Sequence, residues 1–193
     1  EIRYGDYKDF ETVKTSSVLE IIQEAAIRNS EQSGFGIAVL RDMNRAWLLQ
    51  GINMCIEKQV STHLPVEAYT AVKSLRGVLS ERGCILRQNG ETVAKSIANW
   101  CLLDTEKMRL ARIPKEMTES YEHYDFNDDF FNFVRPEIME DAAEKYSVRV
   151  LNKELDTNCH LNNIKGAELL MDALPFDFEI KNIKIIYPLS AYL

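Results

Sequence analysis

The stretch Leu155-Asp156-Thr157-Asn158-Cys159-His160-Leu161-Asn162-Asn163 carries a carboxylate, a carboxamide and an imidazole at alternate positions, just ahead of an apolar, helix-like segment. On an extended backbone Asp156, Asn158 and His160 project to one side, and Thr157 and Cys159 to the other. Those three groups, converging at a strand-to-helix junction, are the raw material of a hydrolytic site. Asp and Asn ahead of a helix also serve as turn residues and caps, and Asn162 and Asn163 read that way. No further ligand cluster accompanies Asp156 and His160, so no metal site is expected. No cofactor is expected either.

The elements that would position this motif can be read along the chain. Thr15, Ser16 and Ser17 are N-cap candidates for a helix whose buried stripe is Val18, Ile21, Ile22, Ala25 and Ala26, ending at Gly34 and Gly36. Strand-like runs follow at 46–57, 67–79, 84–88 and 92–104, with Asn89-Gly90 as a hairpin turn. One long helix and several antiparallel strands make an α+β fold with the sheet wrapped around the helix. Residues 109–133 read as a connection, with a domain boundary within it.

The chain then repeats itself. Val13–Ala25 falls on Leu161–Ala173, with Glu20 on Glu168 and Ile21-Ile22 on Leu169-Leu170. Thr12 takes the place of His160 and Phe10 that of Asn158. The first copy is therefore expected to bind and the second to carry the chemistry. Expected boundaries are 1–115 for the first unit, 116–145 for a linker and 146–193 for the second. The second unit has room for only one or two strands, so further sequence or a homodimer partner would complete its sheet.

The chain has 193 residues, 46% hydrophobic and 27% charged, with a net charge of −7. That balance argues against nucleic acid as a partner. There is no apolar run long enough to span a membrane and no apolar leader at Glu1. Four dispersed cysteines, none in a CxxC pair, fit a reducing, cytoplasmic protein.

Three stretches together resemble the acyl-acyl carrier protein thioesterases, the bacterial relatives of the plant plastid enzymes. They are Ile2-Arg3-Tyr4 with Ile22-Gln23-Glu24-Ala25-Ala26 and Gly34-Phe35-Gly36; Ala94-Lys95-Ser96 to Trp100 with Leu102-Leu103-Asp104 and Arg112-Ile113-Pro114; and the 155–165 motif, similar to the family's Asp-x-Asn-x-His-x-Asn-Asn. The resemblance implies a tandem double hotdog fold and hydrolysis of the thioester between a fatty acyl chain and its carrier protein, which ends fatty acid synthesis. It implies Asp156, Asn158 and His160 as the catalytic set. Where plant members carry a glutamate and then a cysteine, this chain has Ser190 and Ala191, and Pro188 interrupts the strand.

Under that resemblance Asp156 would activate water or attack the carbonyl, His160 would orient the nucleophile or protonate the leaving thiolate, and Asn158 would donate to the oxyanion. Trp47, Leu49 and Met54 would line the acyl tunnel. Arg109, Arg112 and Lys115, in the densest basic stretch, would dock the acidic carrier protein and its phosphopantetheine. Two alternatives stay open: an acyl-CoA thioesterase, and a non-catalytic acyl-binding or regulatory protein of the same fold.

Overall fold

A computed structural model of the chain describes residues 1–137, 147–156 and 160–187. The long helix, α1, spans Thr15–Gln32. Its N-cap is Lys14, which makes no side-chain cap bond. Thr15, Ser16 and Ser17 lie inside the first turn, where Ser17 Oγ donates to Asp6 instead (3.3 Å). The buried stripe is rotated from the expected one. Val18, Leu19 and Ile22 are buried, whereas Ile21 and Ala25 turn half outward. A second, short helix, α2 (Ile37–Asp42), follows Gly34, and Gly36 is its N-cap rather than part of a stop.

The strands are β1 (Arg45–Ile56), β2 (Glu67–Arg76), β3 (Leu79–Gln88), β4 (Glu91–Asp104) and the two-residue β5 (Arg109–Leu110). Asn89 (φ 50°) and Gly90 (φ 78°) close the β3–β4 hairpin with the left-handed backbone that its twist requires. Beyond lie helices α3 (Lys115–Ser120) and α4 (Asn163–Met171) and strand β6 (Asn182–Ile186). The sheet runs β2-β3-β4-β1-β6, antiparallel throughout, with β5 on the edge of β4.

Helix α1 lies on one face of this sheet. Val18, Leu19 and Ile22 pack with Leu49, Ile52 and Met54 of β1, Cys84 and Leu86 of β3, and Ala94 and Ala98 of β4. Burial of this kind stabilises by about 1.5–3 kcal/mol for each large apolar side chain. The helix wrapped by an antiparallel sheet is the hotdog arrangement, and the second copy begins beside the first. Helix α4 packs against α1, and β6 pairs with β1 over Gly51–Cys55.

The segment between the copies packs on the other face of the sheet. Phe126 and Phe131 are buried against Ala71 and Ile97. Phe126 sits over Gly83, where any Cβ would collide with its ring. Met117 and Tyr121 bury beside Val72 and Leu102. Among the described residues no helix is long and apolar enough to cross a membrane.

Candidate active site

Asp156 and His160 do not lie along one extended strand. Four extended steps would carry the chain about 13 Å from Asp156 to His160. Instead Leu155 and Leu161 form an antiparallel bridge, and the Asp156 N–H donates to the His160 carbonyl at 2.7 Å. The Asp156 carboxylate accepts the His160 N–H at 3.0 Å. Backbone pairing has turned the chain back on itself and brought the two residues together, so the same-side argument for an extended strand does not apply. Asn158, with Thr157 and Cys159, lies outside the described residues.

A 3-10 turn at Asn152–Glu154 leads into the loop, and α4 leads out of it. Asn162 caps α4 as expected, its Oδ1 accepting from Ile164 N (2.9 Å) and Lys165 N (3.2 Å). Strand β6 ends beside this cap. Tyr187 N donates to the Gln50 carbonyl (2.8 Å), and Tyr187 Oη donates to the Asn163 carbonyl (3.2 Å). Burial pushes the Tyr187 phenol up to about 12, so it stays protonated at neutral pH.

Ile164 and Tyr187 also form part of the wall of an interior cavity between α1 and the sheet. Of the three residues expected along an acyl tunnel, Leu49 lines this cavity. Met54 is buried in the same core without lining it, and Trp47 packs against the neighbouring cluster around Leu40 and Leu102. The cavity wall includes polar groups that sequence reasoning passed over: Gln23 on α1, Arg82 on β3, and Ser96 and Trp100 on β4. The signal was available, since Ser96 interrupts an inward-facing row between Ala94 and Ala98.

Cys84 lines the cavity as well, and burial pushes its thiol up to about 12. Desolvation also raises Cys55 and Cys101. These three are therefore thiols at neutral pH and poor nucleophiles. Ser190, Ala191 and Pro188 lie outside the described residues. Arg109, Arg112 and Lys115 are exposed around β5 and the start of α3, and Lys115 pairs with Glu119 at 3.0 Å.

Residues 1–121 match the sequence profile of the acyl-ACP thioesterase N-terminal domain. The chain belongs to that family. It is 23% identical over 208 residues to an oleoyl-acyl carrier protein thioesterase of Arabidopsis thaliana, covering 91% of this chain and 54% of that protein. It is 24% identical over 179 residues to a palmitoyl-acyl carrier protein thioesterase of the same plant, covering 82% and 42%. The chain thus spans about half the length of the curated relatives it matches.

Solved structures of the family share the fold. The 12:0-ACP thioesterase of Umbellularia californica superposes with a TM-score of 0.81 at 18% identity, over 97% of this chain and 79% of that one. An acyl-ACP thioesterase of Bacteroides thetaiotaomicron gives 0.78 at 14% identity, over 97% and 76%.

Proposed function

We propose that this protein hydrolyses the thioester of fatty acyl-acyl carrier protein, releasing free fatty acid and carrier protein and so ending fatty acid synthesis. The observation that carries this reading is the Asp156–His160 pairing just ahead of α4, whose Ile164 lines the helix–sheet cavity, in a chain of the acyl-ACP thioesterase family. The first unit binds the acyl chain, and the second presents the catalytic set Asp156, Asn158 and His160.

A thioester is already activated, so a small set of groups suffices. Asp156 takes the proton of a water as the water oxygen adds to the carbonyl carbon; alternatively its carboxylate adds directly, giving an acyl-aspartyl anhydride that water hydrolyses after the thiolate has left. Asn158 donates to the oxyanion that forms, where one donor is worth about 3 kcal/mol. The carbon–sulfur bond then breaks, and His160 supplies the proton that the leaving thiolate takes up. The tether from the His160 N–H to the Asp156 carboxylate keeps carboxylate and imidazole in one loop. Exposed Arg109, Arg112 and Lys115 offer positive charge to the acidic carrier protein on a chain whose net charge is −7.

The test is hydrolysis of matched carrier-protein and CoA thioesters over a range of chain lengths, by the wild-type chain and by Asp156→Ala and His160→Ala. Turnover of the carrier-protein thioesters that falls at least about a hundredfold in both variants supports the reading. Equal or faster turnover of CoA thioesters makes it an acyl-CoA thioesterase, and no turnover by folded protein leaves an acyl-binding module.

A further inference from the structure

The second copy meets the first along two lines: α4 packs against α1, and β6 pairs with β1. Helix α4 is short, nine residues or about two and a half turns, and only Ile164 and Ala167 on it are buried. Leu170, near its far end, is 68% exposed. Its hold on the rest of the molecule is therefore at its first turn, which is also where the Asp156–His160 pair leads into it.

Tyr187, one residue past β6, joins the two lines at that turn. Its backbone is seated by a bulge. The register of β1 against β4 slips between Leu49 and Gly51, so Gln50 is an extra residue on β1. The last β1–β6 pair is Gly51 with Ile186, and the Gln50 carbonyl then accepts Tyr187 N at 2.8 Å. The Tyr187 ring packs on the core cluster that includes Ile22 of α1 and Ile164 and Ala167 of α4. Its hydroxyl donates to the carbonyl of Asn163, the first residue of α4, at 3.2 Å.

From Asn163 the connection runs straight to the pair. Asn162 N donates to the Glu154 carbonyl at 2.8 Å, Leu161 bridges Leu155, and Asp156 N donates to the His160 carbonyl at 2.7 Å. Those bonds hold the two residues to each other. Among the described residues, the Tyr187 hydroxyl is the side-chain group that ties the start of α4 to the strand leaving the sheet. Placement matters here, because a shift of about 1 Å in a reacting group can cost about a hundredfold in rate.

We propose that Tyr187 is a positioning residue for the Asp156–His160 pair: its hydroxyl fixes the first turn of α4 against the sheet and so holds the pair that precedes it. The proposal rests on the thioesterase reading for the chemistry that the pair performs.

The test is Tyr187→Phe in the full chain, which keeps the ring and removes the hydroxyl alone. Native-state amide exchange at Asp156, His160 and Asn162 is expected to speed up at least about fivefold, with the Leu19, Met54 and Leu86 amides within about twofold of wild type. On acyl-carrier-protein thioesters kcat is expected to fall about three- to tenfold, with KM within about twofold. Tyr187→Leu is the second variant should the first not fold.

Unchanged exchange at the three amides overturns the proposal, as does a speed-up shared equally by α1 and the sheet, which is general destabilisation. An unchanged kcat in an active enzyme overturns it too. The thioesterase reading stands or falls on wild-type turnover instead. Selective loosening around Asp156 and His160 in a chain that turns over no thioester upholds the clamp and sinks that reading.

Discussion

The two junctions that lead into α1 and α4 share their flanking backbone pairing and differ in side chains. A 3-10 turn at Tyr4–Asp6 is matched by one at Asn152–Glu154. The bridge Tyr7–Val13 is matched by Leu155–Leu161. Lys8 N donates to the Thr12 carbonyl as Asp156 N donates to that of His160, and Lys14 N donates to the Asp6 carbonyl as Asn162 N does to that of Glu154. Each residue of the second set lies 148 positions after its partner (7 to 155, 13 to 161). In the first copy the loop carries Lys8, Phe10 and Thr12, and Asp9 braces it by accepting from Glu11 N and Thr12 N. Main-chain pairing therefore builds the loop whichever residues occupy it. That leaves the second copy free to carry Asp156, Asn158 and His160 without redesigning the fold.

The helices differ more. Helix α1 runs 18 residues with Leu19 at 1% exposure, while α4 runs nine with Leu170 at 68%. The first copy supplies most of the core, to which α4 adds Ile164 and Ala167, and the second holds the candidate chemistry.

That division can be broken by experiment. Asp156→Ala and His160→Ala should lower kcat on acyl-carrier-protein thioesters by about a hundredfold to ten-thousandfold. Lys8→Ala and Thr12→Ala, at the matching places, should leave kcat within about twofold. Comparable losses from both loops would mean that the chemistry is shared. In urea unfolding, Leu19→Ala should cost about 2–5 kcal/mol. Leu170→Ala should stay within about 0.5 kcal/mol, since a residue so exposed loses little packing.

The caps sharpen the contrast at a smaller scale. Asn162→Ala removes two accepted hydrogen bonds at the start of α4 and should cost about 1 kcal/mol, whereas Lys14→Ala removes no cap bond and should cost less than half of that. The smallest effect at neutral pH belongs to Tyr187. Its phenol is raised from 10.0 to about 12 by burial, so its contribution is fully present below pH 10 and is lost as pH rises towards 12. A stability profile of Tyr187→Phe should lack that alkaline decline, and an unchanged decline would place its origin elsewhere.

Much of this could be read without coordinates. The strand-like runs of β1 and β4, the Asn89-Gly90 turn and the cap at Asn162 are local patterns, legible because each depends on near neighbours in sequence, and the repeat that sets Thr12 against His160 is legible by comparing the chain with itself. The stripe on α1 was misplaced because Ile21 and Ala25 are as apolar as the residues that are buried. Which side of the helix meets the sheet depends on the crossing of α1 over β3 and β4, not on composition.

The motif shows the same limit. Its residue types and order were sufficient to single out Asp156 and His160. Their mutual position came from the Leu155–Leu161 bridge, a contact that an alternating pattern does not encode. The polar wall was further out of reach, because Gln23, Arg82, Ser96 and Trp100 are scattered over three elements and acquire a common surface only when β3 pairs with β4 beneath α1. The sequence by itself determined the long helix, the four main strands, the repeat and the candidate catalytic residues, since these are properties of residue type and spacing. Tertiary structure alone decided which side chains share the cavity and how the loop closes, since both depend on contacts between residues far apart in the chain.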